Sequence, residues 1–147
     1  DGFVLFNRLF QPDININTEE MHFPYNLSSD HDNRLPLRYA GLLFGNTKAT
    51  ICANTGVFTG EDVIKMILAG ADAVQVVSTL YKHGPAQITK MLEDIEIWMA
   101  NKQYSNINEF KGLLSRKNSK DPYSYRRAQY VDILMKSAEI FKKYPLK

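Results

Sequence analysis

The sequence is poor in the features that announce a chemical class at a glance. It has a single cysteine, Cys52. That excludes an internal disulfide framework, and also an iron–sulfur cluster or Cys-rich zinc site held by this chain alone. Such scarcity suits a reducing, cytoplasmic setting. No stretch of ~18 apolar residues offers a membrane span, and no secretory signal pattern is read at its start. An excess of one charge is missing too: the formal net charge is +2 over 147 residues, with Lys and Arg spread along the chain. Neither nucleic acid nor a membrane surface is therefore an expected partner. The histidines are few, and His22, His31 and His83 are spaced without metal or triad logic, which makes them surface residues. No internal repeat or low-complexity tract is visible.

What is present is an ordinary globular composition, 44% hydrophobic and 23% charged. A chain of ~150 residues can bury roughly 70% of its unfolded surface. It opens on Asp1 and runs at once into an apolar stretch, Phe3 to Phe6, which reads as a strand buried on both faces, as in a helix-covered parallel sheet. Such an opening suggests part of a longer parent chain. From Gln11 to Asn33 the sequence is polar, with a short hairpin expected around Ile14 to Phe23. Connections this long are usually functional or mobile.

A strand–helix rhythm follows. Pro36 suits the first turn of a helix over LPLRYAGLLF that Gly45 can end, and Ala49 to Ala53 is a second strand. Thr59 and Asp62 form a capping-box pattern before EDVIKMILA, with Gly70 at the far end. Ala73 to Val77 reads as the third strand. After Gly84, Pro85 opens a longer helix to about Asn101, with Ile88, Leu92, Ile95 and Met99 on one face and Trp98 extending it. Asn106 and Glu109 start another short helix, and a last helix is expected from near Pro122, carrying Tyr125, Val131, Leu134 and Met135. Residues 1–147 thus read as one domain portion, with 102–147 as a helical C-terminal extension. Two strand–helix–strand steps argue a right-handed βαβ series and a parallel sheet. Three strands cannot close a barrel, and a complete (β/α)8 barrel takes ~250 residues, so further strands must come from elsewhere.

In such barrels the chemistry lies at the carboxyl ends of the strands, with phosphate sites after the last two. Two places fit. Asn54, Thr55 and Gly56 follow the second strand, where a glycine allows close backbone approach to an anion. Ser78 and Thr79 follow the third, although small polar residues there often serve only as helix caps. Cys52 lies within a strand and reads as a small buried thiol. Tyr123, Tyr125 and Tyr130 read as packing residues.

The segment TGVFTGEDVIKMILAGADAVQVVSTLYKHGP, Thr55 to Pro85, is similar to the flavin-phosphate segment of the dihydroorotate dehydrogenase family. EIWMANKQYSNINEFKG looks like that family's closing helices. DGFVLFNRLFQPDI, LPLRYAGLLFG and KNSKDPYSYRRAQYVDIL resemble a subgroup of dihydroorotate dehydrogenase-like proteins. The resemblance implies an α/β fold: the C-terminal part of a flavin-binding (β/α)8 TIM barrel, about three βα units plus closing helices, whose strands are the sixth, seventh and eighth. It implies an FMN-dependent oxidoreductase acting on a CH–CH bond of a dihydroorotate-like pyrimidine. Its partners would be a small-molecule pyrimidine-like substrate, the N-terminal part of the same barrel and, as an open option, a second copy in a homodimer. Asn7, at the end of the first strand, would stand near the flavin ring and substrate, since an amide offers both donor and acceptor to a planar edge. Asn54, Thr55, Gly56, Ser78 and Thr79 would cradle the FMN phosphate. The catalytic base of the family would lie upstream of Asp1, so no catalytic residue is assigned. Two departures stand out: many relatives carry two glycines where this chain has Thr55 and Gly56, and a glycine at Val77. They leave open a phosphate-binding barrel that is non-catalytic or differently specific and has lost flavin chemistry.

Overall fold

The computed structural model describes residues 1–7, 12–23 and 27–120, together with Tyr125 and Lys142. The expected last helix, with Val131, Leu134 and Met135, and the tyrosines Tyr123 and Tyr130 lie outside the described residues. The elements are β1 (Gly2–Leu5), β2 (Asp13–Asn15), β3 (Glu20–His22), α1 (Arg34–Leu43), β4 (Thr50–Ala53), α2 (Gly60–Ala69), β5 (Ala73–Val74), α3 (Ser78–His83) and α4 (Ala86–Lys102). Ile107–Glu109 adds a 3-10 turn, whose cap is Asn106 with its amide donating to Glu109.

The expected parallel sheet is present, in the order β1-β4-β5, with Val4 opposite Cys52 and Cys52 opposite Ala73. β2 and β3 form the expected hairpin, pairing Ile14 with Met21. Helices α1 and α2 pack against the sheet and each other, and α4 packs on α2. The core they enclose contains Leu5, Ala40, Ile51, Ala53, Val57, Met66, Ala69 and Ala71. Small residues at 40, 53, 69 and 71 let helix and strand backbones approach closely, which is how close packing is reached with so few large side chains.

Local chemistry sets the element ends. Pro36 stands in the first turn of α1, where its missing N–H breaks no helical bond. Thr59 caps α2: its hydroxyl accepts from Asp62 N–H, and the Asp62 carboxylate accepts from Thr59 N–H at 3.2 Å and Phe58 N–H at 3.1 Å. A capping hydroxyl of this kind contributes ~1 kcal/mol. Tyr125 packs on Gly41, and its hydroxyl donates to the Leu114 carbonyl, the packing role read for it. Burial pushes its phenol up from the usual range.

Three expectations need correction. β1 is not buried on both faces: Phe3 and Val4 are about half exposed, because the described helices cover one face only and β1 is an edge. The third strand is two residues, not five, since the chain leaves the ladder after Val74 and enters α3 at Ser78. On α4 the buried residues are Met91 and Ile95, while Ile88 and Leu92 are exposed. The expected face was right at Ile95, but it took Ile88 and Leu92 in place of Met91, which is buried. Cys52 is half-buried, and partial desolvation pushes its thiol up. His22, His31 and His83 are all exposed.

Candidate functional site

Parallel strands end together, so the residues just beyond β1, β4 and β5 meet at one edge of the sheet. There a cavity of about 190 Å3 is lined by Asn7, Asn54, Thr55, Gly56 and Ser78, joined by Leu27, Ser28, Val57, Gln75, Val76 and Val77. Five of the six expected site residues are thus brought together. Thr79 is the sixth, and it stands apart: it is fully buried behind the cavity, with its hydroxyl donating to the Phe58 carbonyl at 3.4 Å.

The backbone after β4 is unusual. Asn54 N–H still donates to the Leu5 carbonyl at 2.7 Å, extending the ladder by one bond. Thr55 and Gly56 then both adopt φ of +73°, the left-handed region. This conformation is natural for glycine and rare for a β-branched residue. What holds Thr55 there is its hydroxyl, 2.7 Å from the Phe6 carbonyl to which it donates and 3.1 Å from Asn54 Oδ1. That bond ties the end of β4 to the end of β1 and leaves little of the threonine to face a ligand. The departure from a double glycine is therefore accommodated by a new anchor between strands.

Gly56 is enclosed on its other side by the 29–33 segment: a β-carbon built there would strike the Asn33 backbone nitrogen and lie 2.8 Å from both Asp32 C and Ser29 O. Asp62 holds that segment in place. Besides its capping bonds, its second oxygen accepts from the Asn33 side-chain amide at 3.1 Å. A residue legible only as a helix cap thereby also docks the preceding loop.

Sequence reasoning missed Ser28. It is buried, its N–H donates to Ser78 Oγ at 2.9 Å, its hydroxyl donates to the same oxygen at 2.7 Å, and its oxygen accepts Gly56 N–H at 3.2 Å. Lys82 Nζ, which lies 4.6 Å over the Phe58 ring, donates to the Ser28 carbonyl at 3.4 Å. No local signal could have revealed a partnership across 50 residues. Gln75 was missed as well; its side-chain oxygen accepts from Asn54 Nδ2 at 3.3 Å, which orients the Asn54 amide.

Among the described residues, no ionisable side chain lines the cavity. Its polar groups are amides and hydroxyls, which can bind and orient an oxygen-rich ligand but cannot exchange protons near neutral pH. No cluster of three or more metal-ligating side chains occurs among the described residues, and no helix among them is long and apolar enough to cross a membrane.

Residues 43–99 match the model of the dihydroorotate dehydrogenase family. A protein of Streptococcus equi described as a dihydroorotate dehydrogenase A (fumarate) is 41% identical over 75 residues, 49% of this chain and 23% of that protein. The dihydroorotate dehydrogenase (fumarate) of Trypanosoma cruzi is 42% identical over 57 residues, 39% of this chain and 18% of that protein. The chain thus spans less than a quarter of the length of these curated relatives. Two crystal structures from Eimeria tenella share the fold. A ligand-free dihydroorotate dehydrogenase superposes with a TM-score of 0.55 at 24% identity, over 58% of this chain and 24% of the other. A complex with ferulenol superposes with a TM-score of 0.61 at 22% identity, over 77% and 31%. The resemblance read from the sequence is borne out, and the described strands and helices share the fold of part of those barrels.

Proposed function

We propose that this chain supplies the phosphate-binding corner for FMN in an oxidoreductase acting on the CH–CH bond of a dihydroorotate-like pyrimidine. The observation that carries the reading is the convergence of Asn7, Asn54, Thr55, Gly56 and Ser78 on one cavity at the carboxyl ends of parallel strands, all but Asn7 within the stretch that matches the dihydroorotate dehydrogenase family. The donor set fits a phosphate monoester: neutral hydroxyl and amide donors, a left-handed turn that brings backbone close, and no carboxylate among the described lining residues to repel the anion. The size fits as well. At about 190 Å3 the cavity is smaller than the ~300–1,000 Å3 of a whole cofactor site, as expected of one end of it.

In this reading Ser78 and Asn54 hold phosphate oxygens, Thr55 and Gly56 shape the turn, and Asn7 reaches toward the planar end of the site. When bound, FMN supplies the hydride-accepting chemistry, while the chain supplies position and electrostatics. Asn7 fixes a pyrimidine edge by donating from its amide nitrogen and accepting at its oxygen. The remaining strands, and the acid–base group that the described lining residues do not supply, come from the rest of the same barrel. The exposed face of β1 and its unpaired edge are where that remainder joins.

A second reading has one observation in its favour. Gly56 N–H donates to Ser28 and Thr55 carries a side chain, so the turn offers fewer free donors than a double glycine. A barrel binding some other phosphate ester without flavin would use the same corner. The visible absorption of the purified full-length protein separates the two. Flavin bands near 450 nm, roughly one flavin per chain, are expected for a bound flavin; a colourless protein that takes up no added FMN overturns the flavin assignment.

A further inference from the structure

Ser28 is fixed at every polar atom it has: its N–H and hydroxyl both donate to Ser78 Oγ, its oxygen accepts Gly56 N–H, and its carbonyl accepts from Lys82. A hydroxyl has one hydrogen and two acceptor lone pairs. Both lone pairs of Ser78 are spent on Ser28, so only its hydrogen is left, and Ser78 lines the cavity. We propose that Ser28 is a specificity-determining positioning residue: by saturating Ser78 as an acceptor, it leaves Ser78 able only to donate into the cavity, which commits the corner to an anionic oxygen. The same contact keeps Gly56 N–H, a buried donor, satisfied whether or not a ligand is bound. In this role Ser28 acts through Ser78, and the two segments it joins are brought together only by the fold.

This rests on the phosphate-corner reading above and deepens it. In Ser28→Ala the backbone N–H still occupies one lone pair of Ser78, but the other is freed, so the Ser78 hydroxyl can accept as well as donate and its preference for an anion falls. The test uses the full-length protein with Ser28→Ala, Ser78→Ala and the double variant, titrated with FMN and with riboflavin, which differs only in lacking the phosphate. Ser28→Ala should weaken FMN by about tenfold, a charge-assisted hydrogen bond's worth, and leave riboflavin unchanged. In the Ser78→Ala background the Ser28 substitution should leave the ratio of FMN to riboflavin affinity unchanged, because that preference passes through Ser78, whereas loss of the acceptor for Gly56 N–H weakens both flavins alike. Equal losses for both flavins in Ser28→Ala, or a further fall of that ratio in the double variant, overturn the proposal, since either marks a merely structural role. If the wild-type protein binds neither flavin, the flavin reading fails while this inference is still tested by inorganic phosphate. A phosphate-dependent rise in melting temperature that is lost in Ser28→Ala supports it, and no rise in the wild type overturns it.

Discussion

Replacing Gly56 by alanine adds one methyl group at the tightest turn of the site. Two costs are legible. The residue has φ of +73°, which costs an L-residue roughly 1–2 kcal/mol. The new methyl would also strike the backbone nitrogen of Asn33 and lie 2.8 Å from Asp32 C and Ser29 O, all backbone atoms that cannot rotate away. Overpacking of this kind typically costs ~1–3 kcal/mol. Reduced freedom of the unfolded chain returns ~0.4–1 kcal/mol, so the net loss should be about 2–4 kcal/mol. Gly84 is the control, because its φ is +77° but nothing lies within 4 Å of its would-be β-carbon. Gly84→Ala should therefore lose only a conformational part, about 1–3 kcal/mol, because φ of +77° with ψ of 174° is a region open essentially to glycine alone. The assay is urea unfolding of the full-length protein and both variants, read from the midpoint at constant slope. Since the 29–33 segment must move to admit the methyl, Gly56→Ala should also lower FMN retention, and Gly84→Ala should not. Equal losses of FMN retention for the two variants would refute the argument that the loop, not the dihedral alone, makes Gly56 indispensable.

The other expectations are shorter. If the proposed function holds, Asn7→Ala in the full-length protein should lower single-turnover flavin reduction at least ~100-fold with flavin content retained, because orientation of the substrate edge is lost; a turn-capping role predicts instead ~1 kcal/mol of lost stability and normal reduction. Thr55→Val keeps the shape but strands the Phe6 carbonyl, so about 1–3 kcal/mol should be lost, and a loss under ~0.5 kcal/mol would show that the anchor between β1 and β4 is unimportant. Burial pushes the Asp72 carboxyl up, but Ile51 N–H at 2.8 Å and Lys111 Nζ at 2.8 Å outweigh it and hold it below the usual carboxylate value. A depressed folded-state value means that its contribution is present above the unfolded value near ~4 and lost as pH falls through the folded one. Asp72→Asn should therefore lose ~0.2–1 kcal/mol at neutral pH and show a shallower acid limb in stability against pH; identical acid limbs would sink the assignment.

Much of the architecture was legible because its signals are local. The Thr59–Asp62 capping box, the Pro36 first turn and the glycine after α2 each act within a few residues, and the structure places α1 and α2 where those signals stand. The alternation of short apolar strands with helices implied a parallel sheet, which in turn implied that Asn7, Asn54 and Ser78 share one end of it. Where the apolar count was ambiguous, tertiary contact decided: α4 turns Met91 and Ile95 inward because that row meets α2.

From the sequence alone came the order of elements, the end of the sheet at which the candidate site residues gather and the ordered motifs that resemble the family, since each depends on spacing along one chain. Only the tertiary structure decided what the site residues do to one another. Thr55 tolerates a left-handed turn because a carbonyl 49 positions away accepts its hydroxyl, Asp62 docks a loop as well as capping a helix, and Thr79 is turned into the core. Ser28 lies 50 positions from Ser78, and their pairing appears in no local pattern. Hydrogen bonds at that separation depend on how strands and loops pack in space, and periodicity carries no record of it.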